Sequence, residues 1–184
     1  MPTINTKVYW RGNIVLGYLK AEIGPMTYLN WLQDHANDYM GFNTLIAEGT
    51  EVYHYSNVNN VITTIGDGVH GVSNALLDTS WPKLERAKSA LQKHLNNENI
   101  DKDVLFRILA DPTTAIDDDL PETGIPYKWE KAVSSIFINT ESYGTRCSSV
   151  LLIQKSGAIK FFERRFRPSS QIVSGEQSYH ISGK

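Results

Sequence analysis

Segments whose apolar residues recur with a helical period and segments that alternate with a strand period come in blocks along this 184-residue chain, not one by one. The order is helices, strands, helices, strands, without the strict alternation that builds a parallel sheet, and such an order is an α+β pattern. Residues 12–20 (GNIVLGYLK) and 25–38 read as helices. In the second, Leu29, Leu32, Ala36 and Tyr39 form one apolar stripe, and Pro25 suits a first turn, where its missing N–H costs nothing. Past Gly41, the runs 42–48, 51–57, 61–65 and 69–73 have strand character and are separated by Gly49-Thr50 and Gly66-Asp67-Gly68, which predicts an antiparallel meander. Ser80 is the expected cap of a helix with Pro82 in its first turn and Leu84, Ala87, Leu91 and Leu95 on one side. A second helix, 101–110, has Asp101 as its cap and Leu105, Ile108 and Leu109 to bury; both helices are expected to lie on a sheet. Residues 111–128 hold three prolines, a glycine and Asp117-Asp118-Asp119, and read as a long surface loop. Strands resume at 133–139, 148–154, 158–166 and 176–182.

With 41% hydrophobic and 21% charged residues the chain can bury a core, and its length suits a single domain over 1–184. A net charge of −2 leaves no overall basic field to attract nucleic acid or an anionic membrane. No apolar run approaches the roughly 20 residues of a bilayer span, and no charged-then-apolar leader opens the chain. The expected setting is the cytoplasm, or an organelle lumen in a eukaryotic cell. A single Cys147 excludes an internal disulfide and a cysteine-only zinc site.

Few residues carry a chemical signal by themselves. Gly66-Asp67-Gly68-Val69-His70-Gly71 fits the dinucleotide fingerprint in letters, but strand rather than helix is expected after it, so a hairpin turn is the better account. The histidines at 35, 54, 70, 94 and 180 lack metal-ligand spacing, and His54 and His70 read as ordinary strand residues. Ser80-Trp81-Pro82-Lys83 matches Ser-x-x-Lys without its companion motifs, which leaves capping as the role of Ser80. Cys147 reads as a small buried hydrophobe. Arg146 beside it can present a planar fork of donors to a carboxylate, phosphate or oxyanion. Asn74, in the segment before Ser80, is a turn residue whose amide could also stabilise developing negative charge.

Gly41-Phe42-Asn43, Tyr55-Ser56-Asn57, the stretch Gly71 to Lys83 (GVSNALLDTSWPK), and Tyr143-Gly144-Thr145-Arg146 with Ser149 to Ile153 resemble the transport and Golgi organisation protein two family, also called NRDE proteins. Arg11-Gly12, Leu120-Pro121 and Phe162-Glu163-Arg164 extend the resemblance over about residues 10–180 in unchanged order. It implies an N-terminal nucleophile hydrolase-like αββα sandwich, incomplete here because its first strands are missing. Family members begin Met-Cys, the cysteine serving as nucleophile with its own α-amino group as base, and carry an Asn-Arg-Asp-Glu motif soon after. This chain starts Met1-Pro2 and has neither, so the expectation is a chain truncated at its N-terminus and not an active hydrolase as it stands. By resemblance to the penicillin V acylase branch, Asn74 corresponds to an oxyanion-hole asparagine and Arg146 to an active-site arginine. Asn43, Asn74 and Arg146 are the expected ligand-binding residues. The implied function is haem mobilisation or acyl-coenzyme A-related lipid handling, with haem or an acyl thioester as small-molecule ligand, no required cofactor, and self-association through exposed sheet edges. The alternative is a fragment of an amide hydrolase whose cysteine nucleophile lies upstream.

Overall fold

The structure, a computed structural model, describes residues 9–97 and 99–183. It is mixed α+β, with two antiparallel sheets of three strands each, and the chain divides into two compact units, Met1–Thr79 and Ser80–Lys184.

In the first unit, helices α1 (Gly12–Lys20) and α2 (Pro25–Asp34) precede the meander β1 (Asn43–Glu48), β2 (Glu51–Ser56) and β3 (Val61–Ile65), paired in the order β1-β2-β3. The stripe on α2 is real: Leu29 and Leu32 are fully buried and pack with Ile14, Tyr28, Phe42, Ile46, Tyr53 and Tyr55 in one apolar cluster. Helix α2 stops earlier than expected. Its last turn tightens, with the His35 ring nitrogen Nδ1 bonded to the Trp31 carbonyl at 2.8 Å, and residues Ala36–Asp38 form a 3-10 turn. Tyr28 donates its hydroxyl to the Ile14 carbonyl at 2.7 Å, which fastens α2 to α1. That approach needs Gly17, because a Cβ there would lie 2.6 Å from the Tyr28 hydroxyl. Asn57 replaces a missing ladder: it accepts from Phe42 N at 2.8 Å and donates to the carbonyls of Ala36 and Tyr39.

The strand expected at 69–73 does not form. Gly68 takes φ +143°, and the backbone that follows is claimed by Asp78: Gly71 N donates to its carboxylate at 3.0 Å, and Asp78 N donates back to the Gly71 carbonyl at 2.8 Å. A side chain thus closes residues 71–78 into a loop where a ladder was expected. His70 accordingly lies in this loop rather than in a strand, with Nδ1 2.7 Å from Asp78.

In the second unit, α3 (Pro82–Leu95) and α4 (Lys102–Leu109) precede α5 (Tyr127–Ala132) and the sheet β4 (Cys147–Ile153), β5 (Ile159–Phe166) and β6 (Val173–Ile181), ordered β4-β5-β6. Asp101 caps α4 as expected, accepting from Asp103 N at 2.8 Å. Ser80 does not cap α3: Trp81 holds the cap position in extended backbone and makes no side-chain bond there. On α3 the buried residues are Leu84 and His94, while Leu95 is exposed. His94 is held inside because its Nε2 accepts from Asp101 N at 2.9 Å, tying the end of α3 to the start of α4. Helix α4 lies on the sheet, against β4, and α3 packs on α4. There Phe106, Val150 and Phe162 form the buried cluster, with Leu105, Leu109 and Leu152 at its edge.

Residues 133–139, expected as a strand, fold as turns, because their serines bond locally. The Ser134 hydroxyl accepts from Ala115 N and donates to the Lys131 carbonyl, and the Ser135 hydroxyl donates to the Phe137 carbonyl. Phe137 is nonetheless fully buried, edge-on to Phe166 at 4.8 Å. The acidic loop from 111 contains a 3-10 turn, Asp117–Asp119, and ends where α5 begins at Tyr127.

Candidate functional site

Asn43 opens β1 and meets His54 of the neighbouring strand: His54 Nε2 lies 2.9 Å from Asn43 Oδ1, and Asn43 Nδ2 donates to the Ala75 carbonyl at 2.9 Å. His54 is 3% exposed, and burial pulls its pKa below the ordinary imidazole value. With Asn43 Nδ2 spent on Ala75, the His54 Nε2–H is the donor to the amide oxygen, and burial favours the neutral ring. Both ends of the Asn43 side chain are engaged by protein, so its work here is to hold the 71–79 loop against the sheet. Asn74 sits next to the carbonyl so held. It is exposed, and its Oδ1 accepts from the Ser73 hydroxyl at 3.3 Å, leaving its NH2 group without a partner among the described residues. The structure thus brings Asn43 and the Asn74 loop together through Ala75, an arrangement that sequence spacing does not reveal.

Arg146 belongs to the second unit and precedes β4. Its backbone is fixed: Thr145 N donates to the Ile138 carbonyl at 2.8 Å, Ile138 N donates to the Thr145 hydroxyl at 3.0 Å, and the Arg146 carbonyl accepts from Phe166 N at 2.9 Å. Gly144 permits that close approach, since a Cβ there would stand 2.8 Å from the Ile138 carbonyl oxygen. The guanidinium is exposed and has no partner among the described residues. Cys147, expected inside, is exposed at the first position of β4, on the face away from Val150.

Two further features emerge, the first of which the motif reading missed. Between α3 and α4 lies a cleft of about 790 Å³ lined by Arg86, Ala90, Lys93, Val104, Arg107, Ile108 and Ile136, with Glu85, Ser89 and Asp111 completing it. Arg86 is committed, bonding Asp111 at 3.0 Å and the Thr113 carbonyl. Burial pushes the Asp111 carboxyl up, but bonds from Thr113 and Arg86 outweigh it and hold the group below its ordinary value. Lys93 and Arg107 have no such pairing among the described residues. The readable signal was the spacing of Arg86, Ser89, Ala90 and Lys93, which puts all four on one helix face. The second feature is Lys83, whose Nζ donates to the Val133 carbonyl at 2.9 Å and lies 5.5 Å from the Trp81 ring centre. Burial lowers its pKa, and the charge of Glu130 opposes that shift. The Gly66–Gly71 segment leaves β3 for the loop, and the next helix begins only at Pro82, so the helix N-terminus that a dinucleotide phosphate needs does not follow it. Among the described residues no three His, Cys, Asp or Glu side chains are grouped as a metal site, and no helix is long and apolar enough to cross a membrane.

Comparison with known proteins gives one consistent result. The family model described as Transport and Golgi organisation 2 matches residues 2–168. The Transport and Golgi organization 2 homolog of Mus musculus is 29% identical over 170 residues, which is 84% of this chain and 61% of that protein. The Transport and Golgi organization protein 2 homologs of Homo sapiens and Bos taurus are each 27% identical, over 89% of this chain and 64% of theirs. The chain therefore spans less than two-thirds of the length of these relatives.

Proposed function

The chain belongs to the Transport and Golgi organisation 2 family, and on that premise we propose that it binds and carries an amphipathic anion, haem or a long-chain acyl thioester, in preference to hydrolysing an amide. The nucleophile hydrolase-like fold class and a cytoplasmic setting belong to the same proposal. The observation that carries it is the cleft between α3 and α4. At about 790 Å³ it falls within the usual range for small-molecule sites. Its apolar floor of Ala90, Val104, Ile108 and Ile136 suits a macrocycle or an acyl chain. Lys93 and Arg107, with donors to spare, suit the propionates of one ligand or the phosphates of the other. The lining holds no His, Cys, Met or Tyr, so haem would be held by its carboxylates and its ring faces, not through iron.

Arg146, of the same unit as the cleft, enters as a further contact with exposed donors, and Asn74, on the loop that Asn43 positions in the first unit, as a separate candidate contact. The test is a titration of the folded protein with hemin and with palmitoyl-coenzyme A, followed by absorbance and by calorimetry. Saturable binding is expected, without the absorbance signature of histidine ligation. The Lys93→Glu, Arg107→Glu double variant should weaken it at least about tenfold, as loss of two charge-assisted contacts predicts. Asn74→Ala and Arg146→Ala should have smaller effects. Flat titrations of correctly folded protein would end the carrier reading, and turnover of an N-acyl amide would replace it with hydrolysis.

A further inference from the structure

The first unit has a cavity of its own, of about 620 Å³, with walls of a different chemistry. Tyr9, Tyr28, Trp31, His35 and Tyr39 line it together with Asp38 and the small residues of α1, and no Lys or Arg is among the lining residues. The rings stand in pairs. Tyr9 and Tyr39 have centres 5.9 Å apart, Tyr28 and Trp31 5.6 Å apart, and Trp31 and His35 stack at 4.4 Å.

Their positions are set by backbone. Tyr9 N donates to the Asp38 carbonyl at 2.8 Å, and Tyr9 pairs with Tyr39 in a parallel bridge, so Asp38 is held between two tyrosines in the chain's own framework. Asp38 N donates in turn to the His35 carbonyl at 3.0 Å. The Asp38 carboxylate has no hydrogen bond or ion pair among the described residues. Burial, then the Asp38 charge and Tyr9, push the Tyr39 phenol up from its ordinary value, so the field of that carboxylate is felt at the ring beside it.

Aromatic faces carry negative potential, and a carboxylate adds to it. An anion would meet repulsion from both, and a neutral ligand would gain no charge attraction from either. A cation lying over the ring faces, within about 6 Å of their centres, would be attracted by each of them. The volume exceeds what a bare ammonium fills, which leaves room for an attached ring or chain. We propose that this aromatic cavity between α1, α2 and the turn at Asp38 is a binding site for an organic ammonium ligand, one with a quaternary or alkylated nitrogen and an apolar body. The site is separate from the α3/α4 cleft and does not depend on the carrier reading.

The probe is benzyltrimethylammonium, titrated into the full chain by calorimetry and by tryptophan fluorescence, with benzyl alcohol and phenylacetate as neutral and anionic counterparts. The cation should saturate below about 10 mM, an affinity ordinary for a few cation–π contacts. Its fluorescence response should vanish in Trp31→Phe while the calorimetric binding persists. Asp38→Asn should weaken binding roughly five- to tenfold, Asp38→Glu should keep it within about twofold, and Tyr39→Leu should weaken it while Tyr39→Phe does not. Circular dichroism establishes that each variant is folded. Equal binding of benzyl alcohol or phenylacetate would overturn the proposal, as would an Asp38→Asn variant of unchanged affinity or the absence of saturation by the cation.

Discussion

The two units carry the same kind of sheet, three antiparallel strands with a helix against one edge strand, yet they hold it by different forces. In the first, eight buried apolar residues form one cluster rich in tyrosine, and polar groups around it are closed largely by neutral bonds from Asn43, His54 and Asn57, the Tyr53 hydroxyl on the Glu51 carboxylate being the charged exception. In the second, the cluster under the sheet has three buried residues, and charge surrounds it. Arg164 lies with its guanidinium 4.0 Å from the Phe106 ring centre, bonds Asp103 at 2.5 Å and Glu176 at 2.8 Å, and thereby links α4, β5 and β6. Lys102 reaches Glu176 at 3.5 Å from the far side. A large apolar cluster tolerates neutral polar closure, whereas a thin one is supplemented at its rim by charges that double as apolar cover.

That contrast can be broken or sharpened by measurement. The largest effect is expected where packing dominates: Tyr55→Ala removes a side chain with no exposed surface and should cost about 3–5 kcal/mol in urea unfolding, as loss of a buried aromatic does. Its effect should be indifferent to salt. Arg164→Ala should cost less, about 1–2 kcal/mol, through lost cover of Phe106 and lost pairing, and part of that cost should disappear at high ionic strength. Equal salt dependence of the two variants would erase the distinction. Smaller still, Asp101→Ala should cost about 1 kcal/mol, whereas Ser80→Ala should stay within about 0.5 kcal/mol, because only the first of these two candidates caps a helix.

Acid should separate the units by where it acts. The folded pKa of His54 is depressed, so the unfolded chain takes up a proton that the folded chain refuses. The contribution is complete above the ordinary value of 6.5 and is lost as pH falls from there through the lowered folded value. Bonds from Arg164 depress Asp103 and Glu176, and their contribution is complete above the ordinary 3.8 and 4.5 and is lost only as pH falls through their folded values. Hydrogen exchange corrected for intrinsic rates should therefore show β1–β3 losing protection once pH falls below 6.5, and β5–β6 near Arg164 keeping theirs until pH falls below the ordinary 4.5 of Glu176. His54→Gln should flatten the first response.

Much of this was legible because the period of the apolar residues and the turn glycines agree locally. The bounds of α1 and β3 and the cap at Asp101 follow directly from the letters. What misled was strand composition without strand bonding. Residues 69–73 and 133–139 have strand-type composition, but Asp78, Ser134 and Ser135 offer the backbone nearer partners than a ladder would, and such competition is invisible to a count of apolar positions. His94 was missed as a core residue because its burial depends on one backbone N–H, that of Asp101, seven residues on. Of the site, Asn74 and Arg146 could be named, but the engagement of Asn43 by His54 and Ala75 required the strands to be paired first. The α3/α4 cleft needed two helices brought side by side, which no single segment specifies.

The close contact of Gly17 with the Tyr28 hydroxyl makes those two positions a substitution pair. Alanine is ordinarily the better helix residue, by about 1 kcal/mol, and Gly17 has no unusual backbone angle to excuse it. Its constraint comes from a neighbour eleven places away, whose oxygen fills the space a methyl would need. Gly17→Ala alone should be disruptive, and Tyr28→Phe alone should strip the Ile14 carbonyl of its side-chain donor. Made together, the methyl occupies the site the oxygen vacates, so the double change should be milder than the sum of its parts. Sequences in which residue 17 has grown should be those in which residue 28 has lost its hydroxyl.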